Sequence, residues 1–130
     1  MGSLLAVMCG GAAGCALRWL LGVAFNRLFP AIPPGVHTGT LIANLTGAYL
    51  IGLALAWLAH QPQISPYWRL LIITGFLGGL TTFSTFSAEV VTLLQQQRWL
   101  AACTAIALHL GGALLLTFAG IATMTWLRMR

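Results

Sequence analysis

Residues 68–94 read WRLLIITGFLGGLTTFSTFSAEVVTLL, and this stretch decides how the rest of the chain is read. Its only charges are Arg69 and Glu89, and it exceeds the roughly 20 residues needed to cross a hydrocarbon core of ~30 Å. Working outward, three more runs of this kind extend from Ser3 to Phe25, Thr38 to Ala59 and Trp99 to Leu127, giving four predicted spans with Trp68 to Leu94. The breakers agree, because all five prolines (Pro30, Pro33, Pro34, Pro62, Pro66) fall between the runs, in NRLFPAIPPGVH and HQPQISPY. QQQR closes the third run. Trp19, Trp68, Trp99 and Trp126 fall near predicted ends, as an interfacial aromatic belt requires. The expected fold is therefore an all-α membrane protein, residues 1–130 forming a single four-helix transmembrane domain.

Composition points the same way: 59% of residues are hydrophobic and 5% charged, which excludes an ordinary soluble domain. Glu89 is the only acid, and six Arg with no Lys give a formal charge of +5. Those Arg stand singly at the edges of apolar runs, where they anchor helices at headgroups, and not in the clusters that bind nucleic acid. Cys9, Cys15 and Cys103 are odd in number, lack CxxC spacing and lie within apolar runs, so they read as packing residues. The start MGSLLAV lacks a cationic n-region and its apolar run continues too far for a signal peptide, so the first segment is expected to be retained.

Orientation gives the first functional clue. One side of the membrane receives Arg69, Arg128 and Arg130; the other receives Arg27 and Arg98, with Arg18 in the first span near that end. The positive-inside rule then gives almost no preference, which permits an antiparallel, dual-topology homodimer from one sequence; an unrecognised partner that settles the orientation is the other reading. Gly10/Gly14, Gly35/Gly39 and Gly75/Gly79 are small pairs at the spacing that lets helices approach closely in lipid. Four helices are too few to enclose a wide aqueous pore, so function is expected at narrow seams or in an oligomer.

Polar groups within spans are costly unless satisfied, and two clusters stand out. In GTLIANLTG, Thr40, Asn44 and Ala48 share one helical stripe, and Asn44 is the only amide within a predicted span. Its side chain offers two N–H donors and one acceptor, suited to an anion path or to an interhelical hydrogen bond. The second cluster, TGFLGGLTTFSTFSAE at 74–89, combines Gly75, Gly78 and Gly79 with Thr81, Thr82, Ser84, Thr85 and Ser87. It reads as a break in the third helix, with freed carbonyls suited to a cation, or as a close contact that glycine permits. Phe83 and Phe86 share a face among these hydroxyls; such pairs usually pack, but their electropositive rims also suit a small anion.

GCALRWLLG in the first span, GTLIANLTGAYLIG in the second and GFLGGLTTFSTFSAEVV in the third resemble the Fluc (CrcB) family of fluoride channels over nearly the whole chain. The resemblance implies an antiparallel dual-topology homodimer with two narrow fluoride pathways and a structural sodium ion at the centre of the interface. It implies backbone carbonyls of Gly78 and Thr81 from both subunits as sodium ligands. It assigns Asn44 to the pore wall, Phe83 and Phe86 to an aromatic box, and Thr82, Ser84 and Thr85 to the ion path. Arg18 matches a first-span Arg at the vestibule, and Glu89 an acid of unassigned role. The implied activity is passive, fluoride-selective export through a bacterial inner membrane, lowering cytoplasmic fluoride. Fluoride is small and strongly hydrated, so a pore selects it through fixed donors and narrowness.

The fourth span matches least, because His109 and Ala113 stand where small hydroxyl residues are expected. His109 is a candidate donor to fluoride or a satisfied packing residue. A small dual-topology multidrug transporter needs a carboxylate in the first span, where this chain has Arg18. A membrane enzyme or haem protein needs HExxH, paired carboxylates or CxxCH, none of which is present, so no catalytic residue is assigned. A non-catalytic assembly subunit would leave the alternation of polar residues and Phe without a purpose.

Overall fold

In lipid a backbone polar group has no partner but another backbone group or a buried side chain, which is why apolar runs of this length become helices. The computed structural model of the chain describes residues 1–29 and 36–130. It has four helices long and apolar enough to cross a membrane, α1 (Gly2–Leu28), α2 (Thr38–Leu58), α3 (Pro66–Gln95) and α4 (Trp99–Arg128), and no strand among the described residues. Pro30, Pro33, Pro34 and Gly35 lie outside the described residues.

Local chemistry sets the ends. α1 continues past Phe25 to Leu28, which brings Asn26 into the helix, where its Oδ1 accepts the Gly39 N–H at 2.9 Å and ties α1 to the start of α2. Ser65 caps α3, its hydroxyl accepting the Tyr67 N–H at 3.4 Å, with Pro66 at the first helical position, where its missing N–H costs nothing. QQQR ends α3 through Gln97, which takes a left-handed φ of 57° so that Arg98 N–H donates to Leu93 O at 2.9 Å and Gln97 N–H to Leu94 O at 3.0 Å.

α1 packs against the first part of α3, and α2 against α4. Both contacts are backbone on backbone. A side chain on Gly10 would meet the Leu71 carbonyl, one on Gly14 the Phe76 carbonyl, and one on Gly75 or Gly79 the backbone of α1. The two expected small pairs thus face each other across one seam. Gly52 and Gly120 make the equivalent contact between α2 and α4. Two readings need correction. Cys9, Cys15 and Cys103 are exposed on the outside of the chain, not packed, because the helix faces that carry them are turned away from the glycine seams. Trp19 lies inside α1 and not near its end, because the helix runs on to Leu28.

α3 is not uniform. It is α-helical at Pro66–Arg69, π-helical over Leu70–Leu77 and α-helical at Gly78–Leu80; then Thr81 (φ −89°, ψ 155°) and Thr82 (φ −148°, ψ 117°) are extended, and Phe83–Gln95 is α-helical. The first part lies on α1 with Leu77 and Leu80 packed against Ala43, whereas Phe86, Val90 and Leu93 of the last part join Ala102 and Ala105 of α4. A second π-helical turn, Ala107–Gly111, carries His109. Such turns concentrate at functional sites because the wider turn re-aims a side chain.

Candidate functional site

Two extended residues within α3 release backbone donors and acceptors that must be met, and one side chain meets both of those on Thr82. Asn44 Oδ1 accepts the Thr82 N–H at 2.7 Å, and Asn44 Nδ2 donates to the Thr82 carbonyl at 3.0 Å. The same Nδ2 lies 3.1 Å from His109 Nδ1. Since the Thr82 N–H fixes which end of the amide is oxygen, the end facing His109 is NH2, and Nδ1 is an acceptor. The ring proton then sits on Nε2, which is buried and has no partner among the described residues.

The ring of His109 stacks on Phe86 (centroids 4.7 Å apart, planes at 29°), and Phe86 meets Phe83 edge to face (5.4 Å, 62°). Phe86 is buried and Phe83 is 71% exposed. Thr82, the N-cap of the last part of α3, accepts the Thr85 N–H at 3.3 Å, and its hydroxyl also lies 3.2 Å from Ser84 Oγ and 3.0 Å from Thr85 Oγ1. Gly47 lets α2 settle onto the Thr81 side chain, whose hydroxyl donates to Leu77 O at 3.0 Å.

Asn44, Gly78, Thr81, Thr82, Phe83, Phe86 and His109 together border one groove of about 350 Å³. Ser84 and Arg18 are not on its lining, and Thr85 borders a second cavity with His37 and Glu89. Arg18 donates to Cys15 Sγ at 3.6 Å within α1. Of the stripe in α2, Asn44 and Ala48 line the groove and Thr40 does not. Thr117 lines it too, donating to Ala48 O at 3.1 Å, and was not singled out in the sequence. The signal lies in the sequence: residues 109, 113 and 117 follow one face of α4, so the hydroxyl sits one turn beyond His109 and Ala113.

Residues 5–121 match the profile of the family described as CrcB-like protein, Camphor Resistance (CrcB). The chain belongs to the CrcB-like family. Similar members include the proteins named "Fluoride-specific ion channel FluC" of Chromobacterium violaceum, 60% identical over 126 residues (97% of each chain), and of Tolumonas auensis, 60% identical over 126 residues (97% of this chain, 96% of the relative). The protein of the same name from Pseudomonas paraeruginosa is 59% identical over 125 residues, 96% of this chain and 95% of the relative. Every groove residue of this CrcB-like chain named above lies within the family match.

The CrcB-like groove offers no pair of carboxylates and no nucleophile poised on a base. Its chemistry is that of fixed donors and ring edges beside the extended residues Thr81 and Thr82. Both Nδ2 directions of Asn44 are aimed at protein acceptors, so the amide organises the groove rather than presenting a spare N–H to it.

Proposed function

We propose that this chain is one subunit of a fluoride-selective channel in a bacterial inner membrane, which lets fluoride leave the cytoplasm passively. The observation that carries the reading is the buried Nε2–H of His109, without a partner among the described residues and stacked on Phe86 in a groove whose other aromatic, Phe83, is open. A bare donor buried in protein costs about 1–3 kcal/mol unless something accepts from it. Fluoride is the smallest halide and a strong acceptor, and the rims of Phe83 and Phe86 supply further positive potential without a competing counter-ion. The names of relatives near 60% identity over almost the full length agree with this.

The finer reading is an antiparallel, dual-topology homodimer with two pathways. Gly78, Phe83, Ser84 and Thr85 are exposed on the single chain, at the depth where hydroxyls and irregular backbone need cover. A second copy, inverted, brings its own Phe and hydroxyl residues to that face and turns an open groove into a narrow path. Thr82, Ser84 and Thr85 then line its length and Arg18 lies at a vestibule, where its charge draws anions. Thr81 and Thr82 are the break in the third helix.

A structural sodium ion at the dimer centre fits the donor set. A helix would give Gly78 O the Thr82 N–H and Thr81 O the Thr85 N–H, but those donate instead to Asn44 Oδ1 and Thr82 Oγ1. The two carbonyls left without their helical donors are the ones assigned to sodium. The ion would supply fixed positive charge that holds the two breaks together.

Liposomes loaded with potassium fluoride or chloride and carrying the purified protein test this directly. Fluoride is expected to leave quickly once a potassium ionophore is added, and chloride to stay. Phe83→Ile and Phe86→Ile keep bulk but lose the rim, and each is expected to cut fluoride release by at least about tenfold, a barrier change near 1.4 kcal/mol. Equal release of both ions, or full release from both variants, would sink the assignment.

A further inference from the structure

The membrane face that holds the α2–α3 turn carries Arg69, Arg128 and Arg130 and no acidic side chain. Glu89, the only acid, belongs to the opposite end, where it accepts the His37 backbone N–H at 3.4 Å. Two of the three arginines converge on one spot. Arg69, at the start of α3, donates to Leu58 O at 3.0 Å, and Arg128, at the end of α4, donates to Trp57 O at 3.5 Å. Those carbonyls lie at the C-terminus of α2, the negative end of a helix, which holds the two guanidinium groups side by side. Each has five N–H donors and spends one there, so both keep donors for an anion.

Beneath them the same three helices wall a groove of about 260 Å³, separate from the one that holds Asn44. Leu50, Ala54 and Trp57 border it from α2, Ile72 and Phe76 from α3, and Met124 from α4; no hydroxyl, amide or charged side chain does. The register ties this groove to the arginines. Trp57 is both a wall residue and the acceptor for Arg128, Ile72 lies one turn into α3 from Arg69, and Met124 one turn before Arg128. From Leu50 to Trp57 the groove follows α2 for about 10 Å, against the roughly 15 Å of hydrocarbon in one leaflet. An apolar slot within one leaflet, headed by two guanidinium groups, has the polarity profile of a single phospholipid.

We propose that Arg69 and Arg128 hold the phosphate of an anionic phospholipid, one acyl chain of which fills the groove from Trp57 to Leu50. A guanidinium fork matches phosphate oxygens, and the arginine stems lie along apolar surface while their heads stay at the headgroup level. Arg130, stacked on Trp126 at 4.0 Å, adds positive charge at the rim. A zwitterionic lipid offers the same phosphate, but its ammonium group opposes three arginines, so the site selects a net negative headgroup. A second copy of the chain suits the groove less well. An aligned copy brings these same arginines to this level, and an inverted one brings the end that carries Arg27 and Arg98, so cation meets cation either way.

Native mass spectrometry of the full chain in detergent, titrated with phosphatidylglycerol or phosphatidylcholine of identical acyl chains, counts the lipid retained. Wild-type protein is expected to hold phosphatidylglycerol at least about tenfold more tightly. Arg69→Gln combined with Arg128→Gln should remove that preference, and Arg27→Gln, at the opposite end, should keep it. Ala54→Phe fills the groove without touching the arginines and should lower phosphatidylglycerol retention as well. Equal retention of the two lipids by the wild type, or wild-type retention in the double variant or in Ala54→Phe, would overturn the proposal. A second reading needs no lipid-site variant: phosphatidylglycerol with a photoreactive diazirine on its acyl chain should label Trp57, Ile72 or Met124 of the wild type. Labels spread evenly over the exposed apolar surface would overturn the site, and a disulfide joining Leu53→Cys of two copies would assign the groove to a second chain instead.

Discussion

Asn44 spends both of its N–H donors and one acceptor site on three groups: the N–H and carbonyl of Thr82 and Nδ1 of His109. It thereby fixes the tautomer of the His109 ring, leaving the ring proton on Nε2. In Asn44→Asp, a carboxylate oxygen faces the Thr82 carbonyl and two acceptors meet where a donor is needed. His109 then gains a reason to put a proton on Nδ1. Fluoride release is expected to fall at least about tenfold while the protein still assembles, read by efflux alongside size-exclusion chromatography. Unaltered release would remove Asn44 from the organisation of the path. The amide itself was legible in the sequence as an oddity within a span. Its partners were not, since Thr82 and His109 are 38 and 65 positions away and only the packed helices bring them together.

Among the helices, the α1–α3 seam is the contact with least tolerance. Gly10 and Gly14 press on the carbonyls and N–H groups of α3, and backbone cannot swing aside as a side chain can. Gly14→Leu is expected to lower stability by about 2 kcal/mol or more, seen as a loss of monodisperse protein on heating in detergent. Gly22→Ala in α1, where a Cβ would meet nothing within 4 Å, is expected to be tolerated. The spans were legible because apolar length dictates them, and their ends differ from expectation by a few residues where Asn26 or Ser65 finds a backbone partner. The π-helical turns at Leu70–Leu77 and Ala107–Gly111 were not, because an extra residue per turn arises from packing and leaves no mark in hydropathy. Nor was the link from His37 to Glu89, which depends on where a loop residue lands.

For the whole molecule, the balance of Arg and the uncovered polar face argue together for two copies. Crosslinking in detergent is expected to give a species of twice 13.8 kDa and nothing larger, and removal of sodium to loosen it, measured as faster exchange between differently tagged subunits. A monomer that conducts would refute the paired arrangement. The exposed Gly78, Phe83, Ser84 and Thr85 also have a consequence for the life of a newly made chain. Hydroxyls turned to hydrocarbon are a standing penalty, so an unmated copy is a poor solute in its own bilayer and a ready substrate for membrane proteolysis. Under the antiparallel pairing proposed above, mating in opposite orientations would remove that penalty. On that proposal the lipid itself would sort finished from unfinished assemblies, and a cell that inserts too many chains one way round would lose the surplus instead of storing it.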